Sequence, residues 1–297
     1  MYRAADANYP RAMNRAELQK TSYAMTAAGF NQADIPSYDA AQVEPVYLPI
    51  SAWHQHGPFA LWLTQVLRPR RIVELGSQAG YSYFCFCQAV QATDLDTKCY
   101  AIDTWNGDEH TGSYGEEIYL KMFAHNQRYA AFSKMIRTTF DDALPLFTDK
   151  SIDLLHIDGR HFYEDVKHDF ESWQPKLTDD AIVLFHDTQV HQRNFGVLRY
   201  LSELKQQHTT FEFLHGHGLG VVANKSIPPA LRPLFSAKGQ DVEVWRSAFA
   251  GLGQKVTQRW NPNAVDHVAG RMRRRWQRSL AKRWRAVSRV FTGDDRS

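Results

Sequence analysis

Of 297 residues, 43% are hydrophobic and 13% aromatic, enough for one sizeable core, which excludes wholesale disorder. No apolar run approaches the roughly 18–20 residues needed to span a bilayer, and the first 20 residues lack the apolar centre of a secretory signal. The net charge of +3 is a tail property: residues 263–297 hold ten Lys/Arg against three Asp/Glu and leave −4 for the remainder, so a nucleic-acid-binding face on the main domain is not expected.

Three cysteines, Cys85, Cys87 and Cys99, form neither a disulfide framework nor a metal spacing. Cys85 and Cys87 are expected to pack as small hydrophobes, and a reducing cytoplasm is the expected setting. In chain order, NRAELQKTSYAMTAA (14–28) reads as a helix, with Asn14 and Glu17 at capping-box spacing and Gly29 at the stop. Residues 31–58 carry Pro36, Pro45, Pro49 and Pro58 and read as an extended linker. A short helix, FALWLTQVL, then leads into the strand RIVEL.

From RIVEL onward the periods alternate. The turn GSQAGYS is followed by the helical SYFCFCQAVQ; KCYAID and SKMIRTT read as second and third strands. SIDLLHID is a fourth strand before the helical HFYEDVKHDFESW, and AIVLFHD a fifth before FGVLRYLSELKQQ. Short strands alternating with longer helices imply an α/β fold, a Rossmann-like parallel sheet with helices on both faces. FEFLH and LGVVAN, separated by a few residues with Gly216 and Gly218, form a C-terminal antiparallel hairpin. Ligands of such sheets bind outside the carboxyl ends of the strands, and Glu74, Asp103, Asp158 and the His186-Asp187 pair all fall on that edge.

Gly76 and Gly80 stand in the turn after the first strand, where glycine admits a ligand to the backbone and a helix N-terminus offers N–H groups. Asp103, ending the second strand, suits the two hydroxyls of a ribose. The loop is not the glycine pattern of a dinucleotide site, and it serves a nucleoside cofactor without phosphates better.

VELGSQAGYSYF, YAIDTWNGDEHTGSYGEE, LLHIDGRHFYEDVKHDFESW and VLFHD resemble class I S-adenosylmethionine-dependent methyltransferases over roughly residues 50–223. The likeness is to sugar and small-molecule O-methyltransferases of surface-polysaccharide biosynthesis. It implies S-adenosylmethionine as cofactor, with Glu74, Gly76 and Gly80 at the methionine part, Asp103 at the ribose and Asp141-Asp142 at the adenine. Ser77, Thr104 and Trp105 belong to the same implied site, Trp105 as a stacking surface for adenine or a sugar. The implied organisation is residues 1–49 as helix and linker, 50–225 as methyltransferase domain, 226–262 as C-terminal extension and 263–297 as a basic amphipathic helical tail.

Methyl transfer to a hydroxyl needs a base or a metal, because an alcohol has a high pKa. The resemblance implies a divalent ion at Asp158, His186 and Asp187. With an imidazole in the set, that site leans from Mg²⁺ toward Mn²⁺; the alternative is no metal, with His186 and Asp187 serving structure or direct base catalysis. His161, three residues after Asp158, is the expected catalytic base. Its competing reading is a helix cap or a partner of Tyr163 or Glu164. His156, inside the apolar strand, reads as a core histidine. The polar loop TWNGDEHTGSYGEE suits a lid, in which Asp108, Glu109 and His110 are candidate substrate contacts. His215 and His217 lie in the terminal hairpin near the same rim and read as turn residues. Trp53, His54 and His56 precede the first strand in a segment that suits cofactor or substrate contact.

Residues 264–292 read as an amphipathic helix whose stripe carries Val268, Met272, Trp276, Leu280, Trp284, Val287 and Phe291 amid arginines. That pattern fits the inner face of an anionic membrane, a glycosyltransferase complex or a homo-oligomer. The expected function is O-methylation of a sugar or glycan hydroxyl. Its rivals are a metal-dependent hydroxylase or hydrolase, and a non-catalytic methyltransferase-like scaffold.

Overall fold

The computed structural model describes residues 44–108, 112–192 and 194–260; the helix expected at 14–28 and the basic tail lie outside them. The sheet strands are β1 (Arg71–Leu75), β2 (Lys98–Asp103), β3 (Ser133–Arg137), β4 (Ile152–Ile157), β5 (Leu177–His186), β6 (Thr210–Phe213) and β7 (Leu219–Ala223). They form one seven-stranded sheet in the order β3-β2-β1-β4-β5-β7-β6. The first five are parallel, and β6 and β7 close the edge as an antiparallel hairpin against β5.

Helices α1 (Gly57–Leu67), α2 (Tyr81–Ala92), α3 (Glu116–Asn126), α4 (Tyr163–Trp173), α5 (Val197–Leu204) and α6 (Gln240–Arg259) flank the sheet. The strand period of two assigns each residue to a face. Ile72, Leu154, Ile182 and Leu184 pack with α1, α2 and α6, whereas Val73, Leu155, Val183 and Phe185 pack with α4 and α5. Central strands buried on both faces are near-continuous apolar runs, as the sequence shows for VLF and DLLHI. Cys85, Cys87 and Cys99 are all buried.

Three elements differ from the sequence reading. Strand β5 starts at Leu177, four residues before the apolar run, because buried Leu177 pairs with Ile152 and the register shifts across TDD before it resumes at Ile182. Helix α3 occupies the end of the loop expected to act as a lid, and a two-residue ladder pairs Gly107–Asp108 with Gly112–Ser113. Helix α6 lies in the extension after the hairpin, which carried no helix signal in the sequence reading. Trp245 and Phe249 explain it: they pack on Trp62 and Phe59 of α1, with ring centroids 5.4 and 5.2 Å apart. Packing of an apolar stripe, more than propensity, stabilises such a helix. Gly253 of α6 lies against the backbone of Gln55, where a Cβ would come within 2.2 Å of the carbonyl oxygen.

Candidate functional site at the carboxyl ends of β1, β4 and β5

Asp158 follows β4, its N–H bonded to Leu75 O at 2.9 Å, and Asp187 follows β5 with φ +61°. His161 Nε2 lies 3.0 Å from Asp187 Oδ2 and 3.4 Å from Asp158 Oδ1. His186 Nδ1 lies 3.3 Å from Asp158 Oδ1 and 3.5 Å from Asp187 Oδ1, and His217 Nδ1 is 3.5 Å from that same Asp187 oxygen. The structure thus brings together Asp158, His161, His186 and Asp187, as expected, and adds His217.

Burial disfavours a charged imidazole, but the Asp158 and Asp187 carboxylates outweigh it and push His161 up to about 10. The same opposition, with Asp187 ahead of Asp158, raises His186 to about 9. Burial likewise disfavours the two carboxylates, yet His186 and His161 hold both below the usual range. The sequence expectation of a base titrating near working pH is therefore corrected. Without a cation, the carboxylates keep His161 protonated at neutral pH.

The donor set fits a divalent ion. Two groups, Asp158/His161/Asp187 and His186/Asp187/His217, each bring one ligand atom per residue within 4.8 Å of the others. Asp187 Oδ1 is buried and accepts no hydrogen bond among the described residues, although two imidazole nitrogens face it. Two carboxylates with several imidazoles suit Mn²⁺, Fe²⁺ or Zn²⁺ better than Mg²⁺. His217 was missed as a site residue. The signal was the hairpin: β7 pairs antiparallel to β5 with His186 opposite Leu219, which returns residue 217 to the rim.

The glycine loop is held from below. Asp103 Oδ2 accepts the N–H groups of Ser77 and Gln78, each at 2.9 Å, and Oδ1 accepts that of Trp105 at 2.7 Å. A carboxylate has about four acceptor positions, so one remains, on Oδ1, for a ribose hydroxyl. Ser77 Oγ beside it is buried and has no hydrogen-bond partner among the described residues. Gly76 and Gly80 have φ of +85° and +81°. A Cβ on Gly76 would meet the Asp158 carbonyl oxygen at 2.2 Å, so this glycine serves close packing of β1 against the rim.

Two expected cofactor contacts, Glu74 and Trp105, are corrected by their burial. Glu74 shares a sheet face and register with His156, and its Oε2 meets His156 Nδ1 at 2.8 Å with both side chains fully buried. It belongs to the core, as His156 was expected to. Trp105 is 1% exposed, packs on Tyr119 and donates Nε1–H to Gln78 O at 2.9 Å. It locks the loop and offers no open face for stacking. Thr104 bonds the Asn106 N–H through its hydroxyl, and its carbonyl accepts from Arg137. Asp141 is exposed and paired with His168 at 2.9 Å, while Asp142 bonds Thr139, the cap of the turn Phe140–Ala143. Asp108 lies in the two-residue ladder; Glu109 and His110 lie outside the described residues.

Trp53, His54 and His56 are buried against the domain. His56 Nε2–H donates to Gly216 O at 2.9 Å, His54 Nε2 bonds Pro49 O, and the Trp53 ring meets those of His156 and His186 at 5.1 and 6.2 Å. They support the rim from beneath.

Residues 73–188 match the family described as Methyltransferase domain. That segment is similar to a methyltransferase domain, and the sheet order and terminal hairpin are those expected of class I methyltransferases. An uncharacterized protein of Sinorhizobium fredii, y4gI, is 57% identical over 187 residues; these are 63% of this chain and 21% of that protein. The chain thus spans about a fifth of this curated relative. Among solved structures, cofactor-bound Rv0187 from MTB has a TM-score of 0.47 at 14% identity, covering 72% of this chain and 99% of its own. The O-methyltransferase TomG of Streptomyces achromogenes, involved in tomaymycin synthesis and solved with SAM, has a TM-score of 0.45 at 17% identity, covering 72% of this chain and all of its own.

Proposed function

We propose that this methyltransferase domain makes the chain an S-adenosylmethionine-dependent O-methyltransferase acting on a hydroxyl of a sugar or glycan acceptor, with a divalent ion at the rim. The observation that carries the reading is the convergence of Asp158, His161, His186 and Asp187 beside the glycine loop that Asp103 holds. Asp103 Oδ1 and Ser77 Oγ are the groups that would bind the nucleoside; Asp158, Asp187 and His186, whose Nδ1 meets the two carboxylates at 3.3 and 3.5 Å, would hold the ion, with His161 and His217 each completing a neighbouring set around Asp187.

S-adenosylmethionine supplies an electrophilic methyl group on a sulfonium, and a divalent ion supplies Lewis acidity that lowers the hydroxyl pKa. The chain's own residues position the acceptor, exclude water and take the proton. His161 can accept that proton only when its imidazole is neutral, which requires the Asp158 and Asp187 charges to be compensated by something other than its own proton. His186 stays oriented by the Gly216 carbonyl, which its Nε2 meets at 3.2 Å.

A metal-dependent hydrolase would need no nucleoside site, so the Asp103-held loop favours methyl transfer. The test uses Asp158→Ala and His161→Ala. Each should abolish incorporation of labelled methyl groups from S-adenosylmethionine into surface-glycan acceptors while leaving S-adenosylhomocysteine binding nearly intact. Near-wild-type turnover in either variant would remove that residue's assigned role.

A further inference from the structure

Beyond the reactive centre, the segment between β5 and α5 is tied to the rim at both ends. Val190 N–H bonds Asp187 O at 3.2 Å, and Gly196 N–H bonds His161 O at 2.7 Å. Between this segment and the outer face of α5 lies an open cleft of about 500 Å³, within the ordinary range of small-molecule sites. Its apolar lining is Val190, Phe195 and Leu198; its polar lining includes Arg199, Glu203 and Gln206. The Phe195 ring also stacks on His161, with centroids 4.5 Å apart and planes 10° apart. One aromatic side chain therefore borders both the reactive centre and the cleft.

The charges in the cleft are compensated. Arg199 lies 3.9 Å above the Tyr163 ring, its Nε 3.6 Å from Glu203 Oε1, and Tyr163 donates its hydroxyl to Glu203 Oε2 at 2.8 Å. An anionic ligand would meet an arginine already paired, which disfavours a phosphate. What remains among the described lining residues, which also include His191 and Ser202, is an apolar floor beside a wall that offers both donors and acceptors and in which the Arg199 and Glu203 charges offset each other. A pyranose ring has the complementary surface: C–H faces that stack on an aromatic or aliphatic side chain, and edge hydroxyls that both donate and accept.

We propose that this cleft binds the sugar unit next to the one that is methylated, so that the acceptor is an oligosaccharide rather than a single sugar. The inference rests on the glycan reading above. Binding energy from that remote ring positions the reacting hydroxyl.

The test is saturation-transfer NMR and calorimetry on the full chain loaded with S-adenosylhomocysteine. The probes are the methyl pyranosides of D-mannose, D-galactose and L-rhamnose and the disaccharides built from them. At least one disaccharide should bind about tenfold tighter than its methyl glycoside. Phe195→Ala and the cleft-filling Leu198→Trp should each erase that preference. Leu198→Trp keeps the test meaningful if Phe195→Ala disturbs His161. Equal binding of mono- and disaccharides, a preference that survives both variants, or no pyranoside binding to a protein that still takes S-adenosylhomocysteine would each overturn the subsite. Failure to take S-adenosylhomocysteine would instead overturn the methyltransferase reading itself.

Discussion

His56 and His186 share one acceptor: both meet the Gly216 carbonyl through Nε2, at 2.9 and 3.2 Å. Gly216 holds φ +58°, and a Cβ there would come within 2.9 Å of the His56 ring. With Nε2–H engaged below, His186 is left to present Nδ1 to Asp158 and Asp187. A residue outside the family match thus helps aim a rim imidazole.

His56→Phe should therefore weaken Mn²⁺ binding about tenfold, the usual penalty for losing an outer-shell partner, with His56→Asn recovering part of it through its amide donor. Titration followed by electron paramagnetic resonance reads the affinity, and thermal melts separate this from unfolding. Unchanged affinity in a folded His56→Phe protein would sink the assignment.

The rim titrates in a defined direction. His161 is raised from 6.5 to about 10 and His186 to about 9, so both bind protons more tightly folded than unfolded. Their contribution to stability is complete below about 6.5 and is lost as pH rises toward 9 to 10. The depressed Asp158 and Asp187 contribute above their unfolded pKa, near 3.8, and lose that contribution as pH falls below it. The metal-free protein should melt highest between these limits, with Tm falling on either side. An ion entering the rim must displace these protons. Calorimetry of Mn²⁺ binding at neutral pH in buffers of different ionisation enthalpy should show proton release, and buffer-independent heat would contradict it.

Glu74→Ala should cost stability rather than cofactor affinity. It leaves His156 buried without its partner, a loss of about 3 kcal/mol, readable as a shift in denaturant midpoint. S-adenosylhomocysteine affinity of the folded variant should stay within about threefold of wild type, a difference under 1 kcal/mol. A large loss of affinity with little loss of stability would restore Glu74 to the cofactor site.

Asp103→Asn should do the reverse. The amide replaces an anion that accepts three backbone N–H groups, and its NH₂ must oppose one of them. S-adenosylhomocysteine affinity should fall by about tenfold or more, since charged acceptors contribute about 1.5–3 kcal/mol.

The sheet was legible because apolar runs of strand length alternate with helical periods, and the rim because Asp103 ends β2 while Asp158 and Asp187 directly follow β4 and β5. Two kinds of information were not local. Strand parity sends Glu74 to the same face as Ile72 and into contact with His156, although its place beside the glycine loop suggested a ligand contact. Pairing across the sheet returns His217 to Asp187 from 30 residues away, and tertiary packing on α1 makes α6 a helix. Trp105 is buried by Tyr119 and the Gln78 carbonyl, neighbours that the chain brings together only after folding.

The most direct measurement is calorimetric titration of the chelator-treated chain with S-adenosylhomocysteine, with and without Mn²⁺. Micromolar binding of the nucleoside, plus a separate saturable Mn²⁺ heat that Asp187→Ala abolishes, is the predicted result. No binding of S-adenosylhomocysteine in either condition would contradict the methyltransferase reading and leave the Asp158/His161/Asp187 rim to another chemistry.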